Sequence, residues 1–322
     1  MTAVRDLPFD TLQLEQNGRV LTVRMSCPPL NFGTIAFVRE LDRLTSSLDH
    51  DPTVGAVVLT GGIEGRWLTH LDAGELGGMT KLHLPRLPMS VMEWIVPLLR
   101  LVGLPGLLGA LERFGGDLGK GIGWLYRWKR TVLRMNRSRV VYIAAINGPT
   151  LDGGLEIALA CDLRYTTDAA PFRIGQGEML VGVIPGGGGS QRLLRILGTA
   201  RALEHILEGV PLTAAEALTL GIVHRVVPDQ RLLAEAQATG ARLARRSPVA
   251  VAALKRCLYF GMDRRFSRAL DLEVAGFLAT GFTPAAARAL PPYLEDMKRT
   301  GDTPFLTDPK PWIEGTRFDL IA

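Results

Sequence analysis

Residues 151–163 read LDGGLEIALACDL, and this stretch constrains the fold more than any other. Glu156 sits among Leu155, Ile157, Ala158, Leu159 and Ala160, a run with no polar face to carry it. Such a run is predicted to be a buried helix, because an exposed one would show apolar residues on one stripe only. An ionised carboxylate there costs several kcal/mol unless it is hydrogen-bonded, paired or neutral, and burial raises its pKa. Two readings follow: a structural glutamate tied to a nearby arginine, or an acid–base group tuned by burial. Gly153 and Gly154 come just before, at the expected helix N-terminus, where backbone N–H groups lack partners and a ligand can approach closely. Such a donor one turn before a buried carboxylate is suited to holding an oxyanion while a proton moves nearby.

The surrounding pattern is α/β. TLQLEQNGRVLTVRM alternates on both sides of Asn17-Gly18, a hairpin signal. Ile35, Val38, Leu41, Leu44 and Leu48 fall at helical spacing. VGAVVLTGG (54–62) and VYIAAINGP (141–149) each read as a buried strand entering a turn, and short strands are expected around LRYTT and FRI. A helix is expected at about 190–197 and a short one in TAAEALTLG, then a strand at IVHRVV. From residue 229 to about 290 the chain is largely helical. The reading is a core over 1–227, interrupted by an inserted helical segment at about 77–130, and a helical C-terminal region over 228–322.

A second carboxylate, Glu178, lies in GQGEMLVGVIPGGGG, also among apolar residues. Two buried glutamates could divide acid and base roles if the fold brings them together. The glycines of IPGGGG suggest an anion loop, but the Lys-Ser/Thr ending of a nucleotide-phosphate loop is missing. A tight turn leading into a helix is the simpler reading. The five histidines are scattered without ligand spacing, so no metal site is expected. Cys27, Cys161 and Cys257 lack CxxC spacing, which argues against a disulfide framework and for a cytoplasmic setting. The N-terminal stretch has no apolar core of a secretory signal.

The net charge is +5, and the basic residues cluster in RWKRTVLRMNRSR (127–139) without forming a long tract. That excludes nucleic acid as an expected partner, and a solvated helix face is its plainer meaning. The stretch 89–116 is apolar, but Glu93, Arg100 and Glu112 interrupt it and Pro97 and Pro105 break it. Leu98, Leu101, Leu107, Leu108 and Leu111 could form a lid over an acyl tail, pack on another subunit or rest on a membrane. The prolines place the lid and packing roles ahead of membrane contact.

INGPTLDGGLEIALACDLRY, GQGEMLVGVIPGGGGSQRL and LTAAEALTLGIVHRVVP together resemble the crotonase superfamily, the enoyl-CoA hydratase/isomerase group. The resemblance covers most of residues 10–76 and 138–260 and extends more loosely to about 300. It implies a crotonase-like spiral of ββα units with a helical C-terminal region, assembled as a homotrimer or dimer of trimers. It implies an acyl-CoA thioester as ligand, with coenzyme A part of the substrate and no further cofactor. By motif position, Glu156 and Glu178 fall on the two catalytic glutamates of the hydratases. Gly153 and Leu71, in GRWLTHLDAGEL, fall on the two oxyanion-hole donors. Thr69, His70, Asp72, Gly154 and Gly177 fall beside the substrate.

The function implied is hydration of a 2-enoyl-CoA, with a medium, long or bulky acyl group, in fatty-acid or lipid metabolism. Double-bond isomerisation and acyl-CoA binding without chemistry are the alternatives. The chain departs from the family pattern in several places. Thr69-His70 replaces a small Ala-Gly pair, and Leu71 is bulkier than the usual alanine. Asp152 stands where hydratases often have a third glycine, and Gly177 where proline commonly precedes the second glutamate. For His70, a hydrogen bond within its own loop is a simpler reading than ligand contact.

Overall fold

The computed structural model describes residues 3–72, 74–75, 87–104, 106–169 and 172–321. Strands β1 (Leu12–Asn17) and β2 (Val20–Met25) form the hairpin that Asn17-Gly18 encodes, with Asn17 opposite Val20 and Gly18 at φ 56°. That positive φ is what a two-residue hairpin turn requires. β3 (Ala56–Gly61) and β4 (Val141–Ile146) are buried along their whole length, as interior strands of a parallel sheet must be. β6 (Leu163–Thr167) and β8 (Arg225–Val227) complete a six-stranded sheet in the order β1-β2-β3-β4-β6-β8. All its pairings are parallel except the hairpin. A separate pair, β5 (Thr150–Leu151) and β7 (Ile174–Gly175), is also parallel. The strand expected around FRI is therefore only these two residues long.

The period-2 alternation divides the sheet into two apolar faces. Val57 and Leu59 join a core with Phe37, Leu41 and Leu44 of helix Ile35–Leu48 and Trp128 of helix Gly116–Arg137. Ala56, Val58 and Ile143 face Leu232 and Ala236 of helix Asp229–Leu243. Helices Pro248–Gly261, Phe266–Gly281 and Pro284–Thr300 follow, which makes the C-terminal region helical as the sequence implies. Helix Thr199–Glu208 was not expected; Gly198, at φ 76°, separates it from Gly189–Leu197.

The inserted segment contains helix Met89–Ile95, the 3-10 helix Val96–Gly103 and helix Leu107–Phe114. Its compositional end near residue 130 falls inside the Gly116–Arg137 helix, which buries Trp124, Trp128, Val132 and Met135 in the core. This helix is fastened to Ile35–Leu48 through one carboxylate. Asp42, with 3% of its side chain exposed, accepts from Arg127 (3.2 Å), Arg134 (3.0 Å) and Arg130, whose Nε lies at 2.9 Å. Burial works against the Asp42 charge, but the guanidiniums of Arg130 and Arg134 prevail and hold it below the ordinary carboxylate range. Asp42→Asn would leave three arginines without their shared partner, so a loss of about 3 kcal/mol in urea unfolding is expected. An unchanged midpoint would show that the cluster contributes nothing.

Candidate active site

The site lies beyond the carboxyl ends of the parallel strands, the edge where open α/β sheets bind ligands. β4 leads through Asn147-Gly148-Pro149 to β5, and Asp152 then starts helix Gly153–Ala160. β3 ends at Gly61, and the chain returns as Trp67–Leu71 alongside. Thr69 O accepts from Leu151 N at 2.7 Å. Here the two glycines are required. A Cβ on Gly154 would collide with the Leu68 carbonyl oxygen, and one on Gly153 would lie 2.5 Å from Leu71 Cγ. The Leu71 side chain thus fills the space that Gly153 leaves free. The N–H groups of Leu71 and Gly153 donate no hydrogen bond among the described residues, whereas their neighbours do: Asp72 N donates to Gly33 O and Asp152 N to Gly175 O. Two free donors therefore lie on segments in direct contact, as an oxyanion hole needs.

Glu156 is 2% exposed. Its Oε1 accepts from Gly187 N at 2.6 Å and Gly189 N at 2.8 Å. The IPGGGG loop does cradle an anion, and that anion is the glutamate's own carboxylate. Gly189 is the first residue of helix Gly189–Leu197, so its N–H also brings the positive end of a helix dipole. Arg192 supports the loop from below, donating to Gly187 O (2.9 Å) and Asn136 Oδ1 (2.8 Å). The indole N–H of buried Trp128 makes no hydrogen bond of good geometry among the described residues. A Cβ on Gly187 would collide with both that nitrogen and Glu156 Oε2, so the two approach the same point. Burial raises the Glu156 pKa, and the N–H groups of Gly189 and Gly187 with the Arg192 charge pull it only part of the way back.

Glu178 starts the 3-10 helix Glu178–Val181 just after β7. The β5–β7 pairing sets Leu151 against Gly175 and so brings Asp152 beside Gly177. Asp152 Oδ1 accepts from Gly177 N at 2.6 Å. Asp152 has φ 50° and ψ −123°, a conformation that glycine adopts freely and other residues only under strain. The Glu178 pKa is pushed up to about 8, by burial first, then by the Asp152 charge, with a further push from Glu156. Glu178 Oε2 is buried without a hydrogen-bond partner among the described residues. The structure thus brings Glu156 and Glu178 within electrostatic reach.

The remaining candidates point elsewhere. Thr69 Oγ1 donates to Leu30 O at 3.0 Å. His70 stacks on Phe32 at 3.9 Å and contacts Leu71 O through Nδ1 at 2.6 Å. Asp72 Oδ1 accepts from Gly74 N and Glu75 N, closing a turn. Trp128, Arg192, Gly187 and Gly189 were not singled out in the sequence. The run of four glycines before a helix was the available signal for the last two.

Residues 127–300 match the enoyl-CoA hydratase/isomerase family model. The chain belongs to this family. A probable enoyl-CoA hydratase of Rhizobium meliloti is 32% identical over 83% of this chain and 88% of its own length. A short-chain-enoyl-CoA hydratase of Clostridium acetobutylicum is 28% identical over 92% and 98%. The solved enoyl-CoA hydratase of Geobacillus kaustophilus superposes with a TM-score of 0.72 at 25% identity, over 90% of this chain and 96% of that one. The fold is thus the crotonase fold.

In this family member, Gly154→Ala tests the close approach beneath the two free donors. Placing a Cβ against the Leu68 carbonyl is expected to destabilise the fold by about 2 kcal/mol. Thermal unfolding checks it; a wild-type melting temperature would mean that the Trp67–Leu71 segment yields freely.

Proposed function

We propose that the protein hydrates 2-enoyl-CoA thioesters, with Glu156 activating water and Glu178 supplying the proton. The observation that carries this reading is the difference in environment between the two carboxylates. Glu156 receives two N–H donors, which favour the ionised form a base needs. Glu178 has no donor on Oε2, faces Asp152, and with a pKa of about 8 is mostly protonated at neutral pH. Glu156 takes a proton from water as the hydroxyl adds to the β-carbon. The thioester oxygen gathers enolate charge before the N–H groups of Leu71 and Gly153. Glu178 then gives its proton to the α-carbon, and the sum is one water added across the double bond. Coenzyme A enters as part of the substrate, and no further cofactor is needed. The hydratase names of the relatives support the same reaction.

The acyl group is read as medium, long or bulky, and the reaction as a step of fatty-acid or lipid metabolism. The support is the second helix of the apolar insertion, Leu107–Phe114, in which Leu107 is exposed and Leu108 and Leu111 are half-buried. Exposed Phe266, Phe277 and Phe282 on and after the C-terminal helices support a homotrimer or dimer of trimers. The three cysteines, all free, support a cytoplasmic location.

Glu156→Gln and Glu178→Gln are each expected to lower turnover by roughly 10²–10⁴-fold on a 2-enoyl-CoA series, followed by loss of the conjugated thioester absorbance. Wild-type rates in both variants would refute the reading. A loss confined to one, with conversion of a 3-enoyl-CoA, would indicate double-bond isomerisation.

The pH profile provides a separate check. Because the proton on Glu178 is needed, hydration should fall as pH rises through about 8. Asp152→Asn removes a like charge and keeps a side-chain oxygen for Gly177 N–H. The alkaline limb should therefore move to lower pH, by on the order of one unit. A limb that stays in place would show that Asp152 does not tune this proton.

A further inference from the structure

We infer that the inserted segment is a docking surface for an anionic phospholipid membrane. No single described helix is long and apolar enough to cross a bilayer. The segments Met89–Gly103 and Leu107–Phe114 instead meet at a 109° bend. On the first, Trp94, Leu98 and Leu101 recur at intervals of four and three and share an outward face. Trp94 is 83% exposed, and Phe114, at the end of the second, is 78% exposed. The inward face is different: Val102 is buried, and Val96 and Leu99 line a cleft against helix Gly116–Arg137. An uncovered apolar row of this kind marks a contact surface.

The cleft identifies the partner. It encloses about 720 Å³ and gathers Arg100, Lys129, Arg130, Arg134 and Arg137 around a single acid, Asp49. Arg130 and Arg134 are committed to Asp42, and Arg137 lies over the Phe260 ring. Arg100 and Lys129 have no carboxylate partner among the described residues. An apolar row with Trp at its exposed end, next to unpaired cations, matches the layered chemistry of a lipid surface: acyl chains for Trp94 and Leu98, phosphates for Arg100 and Lys129. A second copy of this chain, net +5, docking face to face about a two-fold axis would set cation against cation. The inference does not depend on the reaction proposed for the glutamates.

The test is co-sedimentation of the full chain with phosphatidylcholine vesicles, with and without about one-third phosphatidylglycerol, at low and high salt. Binding is expected to the anionic vesicles only, and to weaken with salt. Arg100→Glu combined with Lys129→Glu should lower the partition coefficient on the order of thirtyfold or more. Trp94→Ser with Leu98→Ser should lower it by a similar factor at unchanged salt dependence. Far-UV circular dichroism and the thermal unfolding midpoint should match wild type in both variants, which shows that they remain folded. Wild-type protein that stays in the supernatant with anionic vesicles would overturn the inference. So would variants that sediment like wild type, or Trp94→Ser/Leu98→Ser that breaks a wild-type oligomer, since another copy would then be the cover.

Discussion

The site depends on one carboxylate oxygen held by two backbone amides. Glu156 Oε1 accepts from Gly187 and Gly189, and that contact joins the helix after β5 to the helix after the glycine loop. Charge-assisted bonds of this kind are about twice as strong as neutral ones, enough to keep a buried glutamate in place without a direct arginine partner. Arg192 contributes at one remove: it ties the Gly187 carbonyl to Asn136 and so fixes the peptide that lies between the two donating amides. Only Oε1 is committed in this way. Oε2 is left facing the Trp128 indole, and this is where a small polar reactant would find both an acceptor and a donor.

Two departures from the family pattern are one physical event. Proline at position 177 would have no N–H, and glycine at position 152 would have no side chain. Here Gly177 donates and Asp152 accepts, so each unusual residue supplies what the other needs. Holding a non-glycine residue at φ 50° costs on the order of 1–3 kcal/mol, and a charge-assisted hydrogen bond offsets a cost of that size. The exchange has a chemical consequence, because it places a third carboxylate beside Glu178. Swapping the two residues separately would lose the bond; only their joint replacement restores the family arrangement.

What was legible in the sequence follows the range of the interactions. The hairpin, the buried strands and the helix at Ile35–Leu48 depend on period and turn chemistry within a few residues, and each appears where the pattern puts it. Glu156 was legible because a charge in an apolar run is anomalous in itself. Its pairing with Gly187 and Gly189 was not, because they lie more than thirty residues away: the glycine run suggests an anion loop, but backbone donors do not name their anion. Glu178 was legible in the same way as Glu156, as a second carboxylate among apolar residues, whereas Leu71 came into view only through the resemblance to the family. Composition shifts near residue 130, where the sequence reading ends the inserted segment, but hydrogen bonding in a helix is indifferent to composition, and Gly116–Arg137 continues through.

That helix shows how one element can serve three surroundings at once. Trp124, Trp128, Val132 and Met135 form the stripe facing the core and Glu156. Arg127, Arg130 and Arg134, on a second stripe, converge on Asp42. Tyr126, Lys129, Leu133 and Arg137 form a third, which walls the basic cleft under the insertion. Stripes on one helix are fixed relative to one another, since each residue advances about 100°. Asp42 therefore sets the rotation of the whole helix: it decides how Trp128 meets the glutamate and which cations the cleft presents. Turning the helix to improve one contact would pull three guanidiniums off a buried carboxylate, so the outer surface and the chemical centre are held in register by a residue that belongs to neither.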